Sequence, residues 1–137
     1  MRFMIIVKAT ADTEAGMLPP QALLAPMASY HDALAKAGVL LDANALQPTS
    51  KAWRIRYAGG KRCIIDGPFP HCQDVIARYT LIQVRSTEEA MEWARRFPPP
   101  QGAHADGEIE VRQVFELGLF ARGRSAENFF GLASGPA

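Results

Sequence analysis

A chain of 137 residues fits one domain, and at that size a single core can bury roughly two-thirds of the unfolded surface without disulfide or metal staples. Hydrophobic residues make up 48% and charged residues 21%, while 15 Lys plus Arg against 14 Asp plus Glu leave a formal charge of +1. This is the mix of an ordinary globular protein, without the clustered basic excess that a nucleic-acid footprint requires, so no nucleic-acid partner is expected.

The apolar run at the N-terminus, Phe3 to Val7, is too short for a secretion signal or a membrane span, so a cytoplasmic protein without a membrane partner is expected. Its β-branched Ile5, Ile6 and Val7 predict a strand. Because every position is apolar, both faces of that strand need cover, and a second subunit is the economical source of it. Ala9 to Leu18 reads as a polar loop. Pro19 and Pro20 then announce a helix from about Pro20 to Ala37, bent at Pro26 and stopped by Gly38.

Val39 to Leu41 opens a second strand, with Asp42 to Ala45 as a turn or bulge. From Ala52 to Tyr57, Trp53, Ile55 and Tyr57 alternate with Arg54 and Arg56, the pattern of a half-buried strand. Gly59-Gly60 signals a hairpin, Arg62 to Ile65 returns, and Asp66-Gly67-Pro68 breaks the strand. A further strand centres on Tyr79 to Val84. Ser86 and Glu89 make a capping box for a helix that Pro98-Pro99-Pro100 ends, and Glu108 to Val114 is the last strand. The order β-α-β-β-β-α-β suits an α+β ferredoxin-like sandwich with helices on one face of an antiparallel sheet. Residues 1–117 form the domain. The segment 118–137 is a C-terminal extension with enough apolar side chains to dock on its own domain or on a partner.

The run Gly60-Lys61-Arg62-Cys63-Ile64-Ile65-Asp66-Gly67-Pro68-Phe69 resembles the strand-and-turn signature of the YCII-related family, in its DGPF branch. Ala37 to Leu41, Leu46-Gln47-Pro48, Tyr79 to Val84, Glu89 to Ala94 and Ile109 to Arg112 follow in the family's order. The resemblance implies a ferredoxin-like domain that dimerises through its sheet, with a cleft near the motif. It also implies small-molecule chemistry, since some relatives are thought to act through a His and Asp pair. The chain departs from the family after the turn. Phe69-Pro70-His71-Cys72-Gln73-Asp74 replaces the usual Phe-Ala-Glu-Thr-Lys-Glu, and Ala77-Arg78 stands where Gly-Gly precedes the aromatic.

Asp66 and His71 are the candidate catalytic residues: a carboxylate held at a strand end and a His five residues on that can move a proton. Asp66 can equally cap backbone amides in an Asx turn, and His71 can be a solvated loop residue. Phe69, Tyr79, Arg112 and His31 are the candidate ligand contacts, with His31 open to a half-buried helical role. The strand arginines Arg54, Arg56, Arg78 and Arg112 would suit an anionic or carbonyl-bearing ligand if several faced the cleft, although Glu110 offers Arg112 an internal ion pair. Two cysteines, Cys63 and Cys72, are too few for a disulfide framework and read as reduced thiols, and no zinc-type spacing supports a metal. The expected function is therefore a small-molecule lyase or isomerase working without an organic cofactor through Asp66 and His71. The alternative is a non-catalytic dimeric ligand-binding or regulatory domain.

Overall fold

The structure, a computed structural model, describes residues 1–116. The expected C-terminal extension therefore lies outside the described residues. Strand β1, Arg2–Lys8, pairs antiparallel with β5, Ile76–Gln83, on one side and with β6, Ile109–Gln113, on the other. β2, Leu40–Ala45, completes the sheet against β5, giving the order β2-β5-β1-β6. The remaining strands, β3 (Trp53–Ala58) and β4 (Lys61–Asp66), form a separate two-stranded hairpin. The chain therefore carries four strands between its long helices, matching the four segments expected singly from Val39, Ala52, Arg62 and Tyr79, whereas the order β-α-β-β-β-α-β counts only three. The hairpin supplies two strands of its own, and the sheet still needs both β2 and β5.

Alternation along β1 assigns its two faces. Phe3, Ile5 and Val7 enter the main core with Ile82 of β5 and Met27, Tyr30 and Leu34 of α2, Gln21–Lys36. Val84, Ala90 and Phe97 close the core from the side of α3, Thr87–Arg95. Ile5, Val7, Leu34 and Ile82 are almost fully buried, each contributing about 1.5–3 kcal/mol of hydrophobic stabilisation. Tyr30 joins the helices: its hydroxyl donates to the Trp93 carbonyl at 2.7 Å, and its ring meets Phe97 edge-on at 5.1 Å. Burial pushes the Tyr30 phenol up to about 12, with the nearby Arg96 charge working against that rise.

The helix boundaries follow from local chemistry. α2 runs through Pro26 as one element and ends on Gly38 at φ 73°. Gly38 N–H donates to Ala35 O and Val39 N–H to Leu34 O, both at 3.0 Å, and the buried Val39 and Leu34 complete this Schellman closure. Ser86 Oγ accepts from Glu89 N–H at 3.1 Å, while the Glu89 carboxylate takes the Arg85 N–H rather than that of Ser86. The segment expected as a polar loop contains a short helix, α1, Ala11–Glu14. Thr10 and Thr13 cap each other's backbone N–H groups, which is enough to close one turn.

The hairpin departs from the half-buried strand expected at Trp53 to Tyr57. Trp53, Ile55 and Tyr57 are 65%, 46% and 68% exposed, and Ile64 opposite them is 68% exposed. The alternation is real, but the hairpin leaves the four-stranded sheet, so its apolar face meets no core among the described residues. Among those residues, no helix is long and apolar enough to cross a membrane.

Candidate functional site

A cavity of about 620 Å³ opens where α1, the end of β2 and the start of β5 converge. Val7 and Leu23 give it an apolar side, and Gln47, Ser50, Lys51, Arg78 and Gln101 bring polar groups. Arg78 faces the helix side of the sheet because it pairs with Val7 across β1, and cross-strand partners share a face. Its guanidinium is half-buried, and withdrawal from water lowers its pKa below the usual arginine value. The group stays protonated all the same at physiological pH.

The cavity wall is braced from behind by the Asp66-Gly67-Pro68-Phe69 turn. Gly67 N–H donates to Ala52 O at 2.9 Å. A Cβ at Gly67 would lie 1.7 Å from the Thr49 carbonyl oxygen, so only glycine permits this approach. Phe69 N–H donates to Thr49 Oγ1 at 3.0 Å, and the Thr49 hydroxyl donates to the Glu14 carboxylate. Glu14 also accepts from Thr49 N–H at 3.1 Å, so both its oxygens are engaged while it lines the cavity. The turn thus reaches α1 through one buried threonine.

None of the six residues expected at the site lines this cavity. Asp66 and His71 are both exposed, and no hydrogen bond or ion pair joins them. His71 adopts φ 65°, the left-handed region that non-glycine residues seldom occupy. Phe69 is buried, with the Arg54 guanidinium 3.8 Å above its ring. Tyr79 and Arg112 pair with Ile6 and Met4, which puts them on the sheet face away from the helices. There the Tyr79 hydroxyl donates to Asp42 at 2.9 Å and accepts from Asn44 at 3.0 Å. Arg112 lies 3.9 Å from Glu110, the ion pair expected from the sequence. His31 sits on the helix side: Nδ1 donates to the Met27 carbonyl at 3.0 Å, and Nε2 meets the Thr80 hydroxyl at 2.9 Å. A carbonyl only accepts, so in the neutral ring Nε2 accepts the Thr80 proton.

In the sequence, Arg78 is one of four strand arginines and is not among the expected site residues. Only the register distinguishes it, since it faces inward while its neighbour Tyr79 faces outward. Cys63 and Cys72 are free thiols. Among the described residues, no group of three His, Cys, Asp or Glu side chains is placed to hold a metal ion.

A family model for the YCII-related domain matches residues 1–118. An uncharacterised protein of Rhizobium meliloti (strain 1021) is 30% identical over 79 residues, covering 58% of this chain. The matched stretch spans 62% of that relative's length. The family match runs through every described element of this turn-braced α+β domain, and the chain belongs to the YCII-related domain family.

Proposed function

We propose that the chain is a small-molecule-binding domain that works as a homodimer, with its ligand in the cavity beside α1. The observation that carries this reading is the cavity itself. Its volume of about 620 Å³, its apolar side and its few convergent polar groups match the build of small-molecule sites. The order β2-β5-β1-β6, with long helices packed on one face, supports a ferredoxin-like sandwich. The Asp66 to Phe69 turn supports the DGPF branch.

The test is a fragment library titrated into the full chain and followed by backbone amide NMR. Binders are expected to shift the Gly16, Gln47 and Gln101 amides. A library whose binders all leave those amides unmoved sinks the reading.

The homodimer rests on the hairpin. Trp53 pairs with Asp66, Ile55 with Ile64 and Tyr57 with Arg62, so these six side chains share one face. That face is self-complementary about a two-fold axis crossing the hairpin at Ile55 and Ile64. Trp53 of one copy then stacks over Tyr57 of the other, and Asp66 over Arg62. An isologous contact of this kind leaves no exposed apolar strip.

A second reading has the protein as a cofactor-independent lyase or isomerase in which Asp66 orients His71 and His71 moves a proton. It is favoured by the left-handed backbone at His71, a conformation that clusters at functional sites. Unchanged turnover of an identified substrate after substitution of both residues would remove it.

A further inference from the structure

Resting on the cavity as the ligand site, we propose that its ligand carries a terminal oxyanion, a carboxylate or a phosphate, seated on the Arg78 guanidinium. Most cations among the described residues are exposed, and three are withdrawn from solvent: Arg2, Lys8 and Arg78. Arg2 lies 3.6 Å from Glu116 and Lys8 lies 3.5 Å from Glu110. Arg78 has no carboxylate, no hydrogen-bond acceptor and no aromatic ring beside its guanidinium among the described residues.

Withdrawing a charge from water without a partner is unfavourable, so such a group is retained where something else supplies the counter-charge. No fully enclosed polar side-chain atom among these residues lacks a hydrogen bond. The free donors of Arg78 therefore remain reachable, and Arg78 is one of the residues that line the cavity. Its stem is fixed between Val7 on β1 and Ala45 on β2, its cross-strand partners. A planar fork held in this way matches two oxygens of one carboxylate or phosphate.

The other charges around the cavity fit the same ligand. Lys51 adds a second cation. Of the two carboxylates, Glu14 is turned to Thr49 through both oxygens, and Asp12 is exposed. Val7 and Leu23 would receive an apolar body attached to the anionic head. The ligand is thus a small amphipathic anion.

The experiment uses the full chain at low ionic strength with three probes: hexanoate, phenyl phosphate and the neutral hexanamide. Binding is read from the Arg78 Nε–H signal and from the Gly16, Gln47 and Gln101 amides. The anions are expected to bind at least tenfold more tightly than hexanamide and to shift the Arg78 signal. Arg78→Met should remove that preference, bringing the anions down to the affinity of hexanamide. Arg78→Lys, which keeps the charge without the fork, should fall between them. The stronger of hexanoate and phenyl phosphate identifies the head group. Equal binding of anion and amide at the cavity amides overturns the oxyanion assignment and leaves the cavity as the ligand site. Anion binding that Arg78→Met does not weaken also overturns it. Failure of every probe to move the cavity amides counts against both readings.

Discussion

The backbone N–H of Phe69 donates to Thr49 Oγ1 at 3.0 Å, and the same hydroxyl donates to the Glu14 carboxylate. This relay runs from the most family-like turn of the chain to the wall of the cavity. It gives the turn a mechanical part: Phe69 is buried under Arg54, and Gly67 lies against the Thr49 carbonyl. Thr49→Val keeps the side-chain shape and removes both hydrogen bonds of the hydroxyl. The buried Phe69 N–H is left without its acceptor, at a cost of about 1–3 kcal/mol. Urea unfolding should show that loss for Thr49→Val and recovery of most of it for Thr49→Ser. Equal stability of all three proteins would mean the relay carries no weight.

The elements were legible in the sequence where local chemistry decides them. The all-apolar β1, the Gly38 stop and the Ser86 cap each depend on a few neighbouring residues. What was illegible depends on partners distant in sequence. Trp53, Ile55 and Tyr57 alternate as a half-buried strand should, yet burial needs an opposing layer, and the hairpin stands apart from the sheet. At the site, Tyr79 is the expected ligand contact, while the residue facing the helix side is Arg78. Pattern alone does not say which of two adjacent strand residues meets a cavity, because that follows from pairing with Val7, some seventy positions away. The Asp66 and His71 pair rests on the family resemblance, chemical type and closeness in sequence, and the turn leaves both side chains exposed.

His31 illustrates how a helical histidine can be tied into a sheet. Its ring links the Met27 carbonyl to Thr80, a buried residue in the middle of β5. A double-mutant cycle with His31→Ala and Thr80→Val isolates the link between helix and strand. Either single change should be more damaging than its share of the double, with a coupling of about 1 kcal/mol between the two sites. Strictly additive losses would show that the 2.9 Å contact contributes nothing to stability.

Tyr30 sets an alkaline limit on the fold. Its phenol rises to about 12 in the folded protein because burial penalises the charged form, whereas in the unfolded chain it titrates near 10. The sign follows from proton counting. The folded state keeps the proton that the unfolded state releases, so the stabilisation is complete below pH of about 10 and is lost as pH rises through about 12. Two units correspond to roughly 2–3 kcal/mol. Tyr30→Phe should be about 1 kcal/mol less stable at neutral pH, through loss of the bond to the Trp93 carbonyl. Between pH 10 and 12 it should lose correspondingly less than the parent. Parallel pH profiles for the two proteins, measured by denaturant unfolding, would contradict the assignment.

The hairpin face makes the dimer testable by charge exchange. In the isologous arrangement, Asp66 of each copy meets Arg62 of the other, at the two ends of the strip formed by Trp53, Ile55, Tyr57 and Ile64. Asp66→Arg sets two arginines against each other at both ends, and Arg62→Asp does the same with carboxylates. Each single reversal should raise the dissociation constant about tenfold, corresponding to roughly 1.4 kcal/mol. The double reversal restores opposite charges across the interface and should return dimerisation close to the parent. Ile64→Glu places a charge at the centre of the strip and should leave only monomer. Light scattering on the parent chain should give twice the 15.0 kDa chain mass. A parent that stays at 15.0 kDa at all concentrations would refute the homodimer. A dimer that survives both single reversals and Ile64→Glu would instead assign the contact to another surface, the sheet face of Tyr79 and Arg112 being the next to test.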